Sequence, residues 1–216
     1  AAVVKRYASM PVKIERPAKS TEKLTEVKRV TVEDNIQLPG LFMAYNLPDQ
    51  THKDMYALQM MNDVLSGGSS SRINKSVVEK QELAQFAFAF SYGLEDAGLG
   101  IFAAIAAKDV SLDQIQTALD EQIKLISTDL ITEEEFQKIR NQYENDFISS
   151  NASVAGIAEN LANNHVYMGS AEYTNNELEK YMSVTREDIR RVAKQYLTPD
   201  ARVIIQYVPK QDNTEK

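Results

Sequence analysis

Two histidines, His52 and His165, are the only imidazoles in the 216-residue chain, and it contains no cysteine. A catalytic zinc centre takes three protein ligands, and the helical zinc motifs draw two of them from His-x-x-Glu-His or His-Glu-x-x-His spacing. Neither pattern occurs, so a metal site would need one histidine from each end of the chain together with carboxylates. The plainer reading makes both histidines surface or capping residues and assigns no metal ligand. The lack of cysteine removes disulfides, thiolate ligands and cysteine nucleophiles. Serine nucleophile chemistry lacks its Gly-x-Ser-x-Gly elbow. No catalytic residue is assigned.

Gly67-Gly68-Ser69-Ser70-Ser71-Arg72 has the composition of a phosphate cradle but not the spacing. A Walker loop has four residues between its glycine and Gly-Lys-Ser/Thr, and it follows a strand. Here the preceding residues read as a helix. Two readings stay open. In one, the glycines cap a helix, a serine caps the next helix, and Arg72 pairs with a carboxylate. In the other, Gly67, Gly68 and Arg72 belong to a flexible loop that touches a polypeptide ligand. Glu133-Glu134-Glu135 falls in the first turn of a helix, where negative charge suits the dipole.

The elements that position these residues follow from periodicity. Glu26–Glu33 and Leu38–Asn46 alternate as strands. Met55, Leu58, Met61 and Leu65 form the buried stripe of a helix, with Thr51 as N-cap and Asp54 at N3 in a variant capping box. The glycine pair ends that helix, and a short helix starts near Arg72. Ala84–Tyr92 and Leu99–Ala107 make a hairpin. Its first strand places Phe86, Phe88, Phe90 and Tyr92 on one face, a stripe expected to be core, and Ala87, Ala89 and Ser91 on the other, where a helix fits closely. Its second strand is apolar on both faces and is expected to be central.

Ser111/Gln114, Thr132/Glu135 and Thr185/Asp188 open three helices. The second of these has Phe136, Ile139, Tyr143 and Phe147 as its inward stripe. Ala152–Met168 is a further helix ended by Gly169, a short one lies around Asn175–Tyr181, and Arg202–Val208 is a closing strand. Strands and helices are segregated. The fold class is therefore α+β: a mainly antiparallel sheet of about five strands with helices packed on one face.

The chain carries 24 basic and 31 acidic residues, a net charge of −7, which argues against nucleic acid as the main partner. The longest apolar stretch, Gly98–Ala107, is too short to span a bilayer, and no signal-peptide order appears. Residues 1–24 read as the end of a preceding domain and a linker, 25–208 as one α+β domain, and 209–216 as a polar tail. Those ends fit a segment of a longer protein. A periplasmic or cytoplasmic bacterial location, or an organellar one, is compatible with the absence of cysteine.

Ser71-Arg72-Ile73, then Val78-Glu79-Lys80-Gln81-Glu82-Leu83-Ala84, then the aromatic strand, resembles the insulinase/pitrilysin zinc metallopeptidase family. The likeness is to the second domain of a family half, the one that does not bind zinc. Asn46-Leu47-Pro48, Asp54, Ala57-Leu58, Leu65-Ser66-Gly67-Gly68, Leu130–Phe136 and Tyr196-Leu197-Thr198-Pro199 are similar to family landmarks, and the resemblance spans roughly 24–208.

The resemblance implies a non-catalytic, chamber-forming, peptide-binding domain paired with a homologous zinc-binding domain in the same chain or a partner subunit. Zinc is expected there and no cofactor here, and extended peptides are the expected substrates. A peptide would be held partly by strand addition to a sheet edge. Family domains that assist catalysis carry an Arg and a Tyr around the Glu-Lys-x-x-Leu-Ala core. Val78 and Gln85 occupy those positions here, and neither has the missing group, so no oxyanion partner is expected. The resemblance also leaves a different role open, a catalytically inactive assembly subunit like the core proteins of respiratory complexes.

Overall fold

A computed structural model describes Glu15 and residues 24–210. The preceding-domain end read in residues 1–24, and most of the polar tail, lie outside the described residues.

Five strands form one sheet in the order β1-β5-β2-β4-β3: β1 Lys28–Asp34, β2 Gly40–Leu47, β3 Ala84–Gly93, β4 Gly98–Ala106 and β5 Val203–Pro209. All neighbours are antiparallel except β1 and β5, which run parallel. The helices are α1 Met55–Ser66, α2 Leu112–Thr128, α3 Glu133–Ser150, α4 Val154–Met168, α5 Tyr173–Ser183 and α6 Arg186–Tyr196. The segment expected to begin a short helix near Arg72 contains a π-helix, Asn74–Lys80, with only Val77 fully buried.

The core lies between the sheet and the helical layer. β2 contributes Leu41, Met43 and Tyr45, β4 contributes Phe102, Ala104 and Ala106, and β5 contributes Ile204. Against them pack Leu58, Met61 and Leu65 of α1, Ile115, Leu119 and Ile126 of α2, and Ile189, Val192 and Ala193 of α6. Each such aliphatic side chain contributes ~1.5–3 kcal/mol by leaving water. The capping boxes at Ser111/Gln114, Thr132/Glu135 and Thr185/Asp188 are all formed reciprocally. On α3, Phe136 and Ile139 are buried, while Tyr143 and Phe147 are half-buried because the helix runs past the edge of the core.

Two local expectations give way to tertiary contacts. Thr51 does not cap α1. Its hydroxyl and amide bond to the Asp49 carboxylate, and α1 starts at Met55. Asp54 is buried instead and accepts hydrogen bonds from Arg191 and Tyr196 of α6. The second correction concerns the aromatic stripe of β3. Its residues are not core: Phe86 is 50%, Phe88 37%, Phe90 39% and Tyr92 55% exposed. The small face of β3 turns to the helices as its size allows, with Ala89 buried and Asn62 of α1 bonded to Ser91. The phenylalanines must then point the other way, away from every helix packed on the sheet.

Candidate functional site

The register shows what that other face contains. Phe86 pairs with Ile105, Phe88 with Ala103, Phe90 with Ile101 and Tyr92 with Leu99. Across β2 the same layer continues with Phe42 and Ala44, which face Ala103 and Ile101. On β5 it continues as Val203, Ile205 and Tyr207, and on β1 as Val30 and Val32. The layer is apolar across the sheet apart from Asn46, which pairs with Leu99, and Lys28 and Asp34 at the two ends of β1. Phe86, Phe88 and Phe90 stack at centroid separations of 6.2 and 5.9 Å, and Phe42 meets Tyr207 edge-on at 5.8 Å. A contiguous apolar surface of this breadth marks a binding or interaction face.

The two sheet edges differ in kind. β1 carries Lys28, Arg29, Glu33 and Asp34 within its seven residues, the charged pattern that blunts an edge against further pairing. β3 has ten residues, Ala84–Gly93, and no charge. Its outer backbone groups are therefore open to another extended chain. The strand begins after Glu82, whose φ of +51° turns the chain out of the π-helix.

The glycine-serine loop lies at the C-terminal end of α1. The Gly67 amide donates to the Asp63 carbonyl at 2.7 Å, and a Cβ at Gly67 would sit 2.4 Å from that oxygen. Gly68 takes a φ of +87°, a conformation that favours glycine. Arg72 donates from Nε and Nη2 to both oxygens of Glu135 at 2.7 and 2.8 Å, tying the loop to the first turn of α3. Between them is a cavity of about 320 Å³ lined by Asp63, Ser70, Ser71, Arg72, Glu135 and Lys138 among others. The structure thus keeps the glycines and Arg72 together at one end of the helical layer. Val78 packs against the core and Gln85 is exposed on β3.

The Arg72 bridge holds the Glu135 carboxyl at about 2, against an ordinary value of 4.5. A depressed carboxylate pKa adds stability that is complete above about pH 4.5 and is lost as the pH falls towards 2. Glu135→Gln removes the charge and one acceptor oxygen, so Arg72 or the Thr132 cap loses a hydrogen bond with it. Because Glu135 is partly solvated, its loss is expected to cost ~1–2 kcal/mol at neutral pH. Urea unfolding at a series of pH values checks this: the gap between the two proteins should narrow steadily below pH 4.5.

The histidines do not meet. His52 Nδ1 accepts the Asp54 amide just ahead of α1 at 3.1 Å, and His165 is exposed on α4. Among the described residues no group of three or more His, Cys, Asp or Glu side chains is placed to hold a metal ion. Among the same residues, no helix is long and apolar enough to cross a membrane.

Buried polar groups invisible to periodicity hold the elements in place. Arg202 donates to both oxygens of Asp120 on α2 and to the Tyr45 hydroxyl. Tyr143 donates to Asp63 at 2.7 Å, and burial raises the Asp63 pKa. Arg191 holds Asp54 below the usual carboxylate range, while burial and the bond to Asp54 push the Tyr196 hydroxyl up to about 12. A charged residue next to an apolar strand, as Arg202 is, was the one available signal.

The family model described as the peptidase M16 inactive domain matches residues 3–143. The chain belongs to this family. It is 29% identical over 171 residues to the zinc protease PqqE of Helicobacter pylori, covering 77% of this chain and 37% of that one. It is 25% identical over 188 residues to the uncharacterized zinc protease YmxG of Bacillus subtilis, covering 87% of this chain and 44% of that one. The chain therefore spans less than half the length of these relatives. The crystal structure of a protease from Helicobacter pylori superposes with a TM-score of 0.87 at 22% identity, over 95% of this chain and 51% of that one. That likeness shows the α+β fold.

Proposed function

We propose that this M16 inactive domain is the non-catalytic wall of a peptide-binding chamber in a zinc protease whose metal lies in another domain. The supporting observation is the apolar open face of the sheet, bounded at β3 by an uncharged edge. An extended peptide adds beside β3 through main-chain hydrogen bonds, and alternate side chains rest on the Phe86/Phe88/Phe90 row. The rest of the open face meets the homologous zinc-binding domain, since a contiguous apolar layer marks an interaction surface. The zinc supplies water activation in that domain. This chain binds and orients the peptide and excludes water from it. Gly67, Gly68 and Arg72 form a second contact, with the glycine backbone offered to the peptide and Arg72 holding the loop through Glu135.

Titration of the isolated chain with a labelled, unfolded apolar peptide, followed by fluorescence anisotropy, tests the reading. Saturable binding is expected, weakened at least roughly tenfold by Phe88→Asp, because the new carboxylate is desolvated under the ligand. No cleavage is expected without the second domain. Cleavage by this chain alone, or binding that ignores Phe88→Asp, contradicts the proposal. An inactive assembly role shares the fold and is separated by the same titration, since it requires no affinity for free peptides.

A further inference from the structure

The hydrogen bonds at the two ends of the β3–β4 hairpin fix which backbone groups of β3 face outward. The Leu94 amide donates to the Ala97 carbonyl at 3.0 Å, and the Ala107 amide to the Leu83 carbonyl at 2.9 Å. In an antiparallel ladder, pairs that exchange hydrogen bonds alternate with pairs that do not. Counting along the register from Leu94/Ala97, the bonded pairs are Tyr92/Leu99, Phe90/Ile101, Phe88/Ala103 and Phe86/Ile105. Counting from Leu83/Ala107 gives the same phase, with Gln85 as the extra residue of the bulge between Ala84 and Phe86. The aromatic residues therefore direct their N–H and C=O groups at β4. Ala87, Ala89 and Ser91, which lie between them, direct theirs outward, and among the described residues β3 is the last strand of the sheet.

We infer that β3 selects an antiparallel peptide with a period of two: every second peptide residue needs a bare main-chain N–H, and the residues between need β-branched or aromatic side chains. The inference rests on the reading of the open sheet as a peptide-binding face. A peptide residue opposite Ala87, Ala89 or Ser91 exchanges main-chain bonds with it, and its own side chain points to the helical side. A peptide residue opposite Phe88 or Phe90 makes no main-chain bond to β3, and its N–H points away. Its side chain lies beside the ring, in the kind of pair that brings Cα atoms closest, to about 4.5 Å. The rings thus stand where cross-strand contact is tightest and where aromatic–β-branched pairs are favourable. Backbone and side chains are read at different residues of the ligand. Proline, which has no N–H, is rejected opposite Ala87, Ala89 and Ser91. The bulge at Gln85 ends the regular ladder on one side, and the turn after Gly93 ends it on the other. The ligand class is a short amphipathic strand. A parallel peptide would reverse the phase, because its bonding residues are those whose side chains meet the rings.

Fluorescence anisotropy of the full chain with the labelled peptide Lys-Thr-Val-Thr-Val-Thr-Val-Thr-Lys tests the inference. The parent peptide is expected to bind saturably. N-methylation of every valine should change its dissociation constant by less than roughly threefold, because those amides face away from β3. N-methylation of the inner threonines should raise it at least roughly tenfold, because each loses a main-chain bond. In residue-resolved hydrogen exchange, bound parent peptide should slow the amides of Ala87, Ala89 and Ser91. Equal losses from the two methylation patterns, a larger loss from the valine pattern, or no slowing of those amides under bound peptide would overturn the period-two selection and leave peptide binding itself standing. Absence of saturable binding by the parent peptide would overturn both.

Discussion

Truncating Phe102 to alanine is expected to lower the unfolding free energy by about 4 kcal/mol. The ring is fully buried on the helical side of β4 and meets Tyr45 edge-on at a centroid distance of 5.7 Å. Its removal leaves a cavity bounded by Tyr45, Met43 and the α1 side chains, which the paired strands prevent from closing. Phe88→Ala, one strand away, is expected to change stability by less than ~1 kcal/mol, because its ring is already in water on one side. The two substitutions delete the same atoms from neighbouring strands of one sheet. Chemical denaturation of both measures how differently the two sheet faces are used. Equal losses would mean that the Phe86/Phe88/Phe90 row is core after all, and the proposed binding face would disappear with that result.

Replacing Asp120 by alanine is expected to cost ~3 kcal/mol, because it strands the Arg202 guanidinium in the core. Arg202 is 6% exposed, and with Asp120 gone it keeps the Tyr45 hydroxyl as its one remaining side-chain oxygen. The bridge joins the start of β5 to α2, so its loss loosens the strand that closes the sheet between β1 and β2. Arg202→Met combined with Asp120→Leu should recover most of the loss, since neither charge then remains to be solvated. Urea unfolding of the single and double variants forms the test. A loss well under 1 kcal/mol for Asp120→Ala would show that water already solvates the pair.

How much of this was legible depends on how local the determining interaction is. Reciprocal caps such as Ser111/Gln114 and Thr132/Glu135 are three residues apart, and the sequence places both α-helix starts from them alone. The five strands and the α+β class follow from alternation and segregation in the same way. Thr51 was misread because the pattern of a capping box was present. The competing partners of Asp54, Arg191 and Tyr196, lie 137 and 142 residues away. A local rule cannot weigh those. Periodicity put Phe86, Phe88 and Phe90 on one face and Ala87, Ala89 and Ser91 on the other, and that division is correct. Burial could not be assigned from it, because bulky aromatics suit either a core or a binding face. The size of the opposite face was the better guide: only alanines and serine let α1 approach β3. Likewise, Arg72 and Glu135 are 63 residues apart, so sequence could offer a carboxylate partner for Arg72 without identifying it.

Amide hydrogen exchange of the isolated chain, with and without a saturating unfolded apolar peptide, tests the central claim most directly. If the peptide is held as an added strand on the open sheet, amides of Ala84–Gly93 slow on binding while those of Lys28–Asp34 at the charged edge exchange as before. Unchanged exchange along β3 in the presence of bound peptide, or protection confined to the β1 edge, would contradict the account.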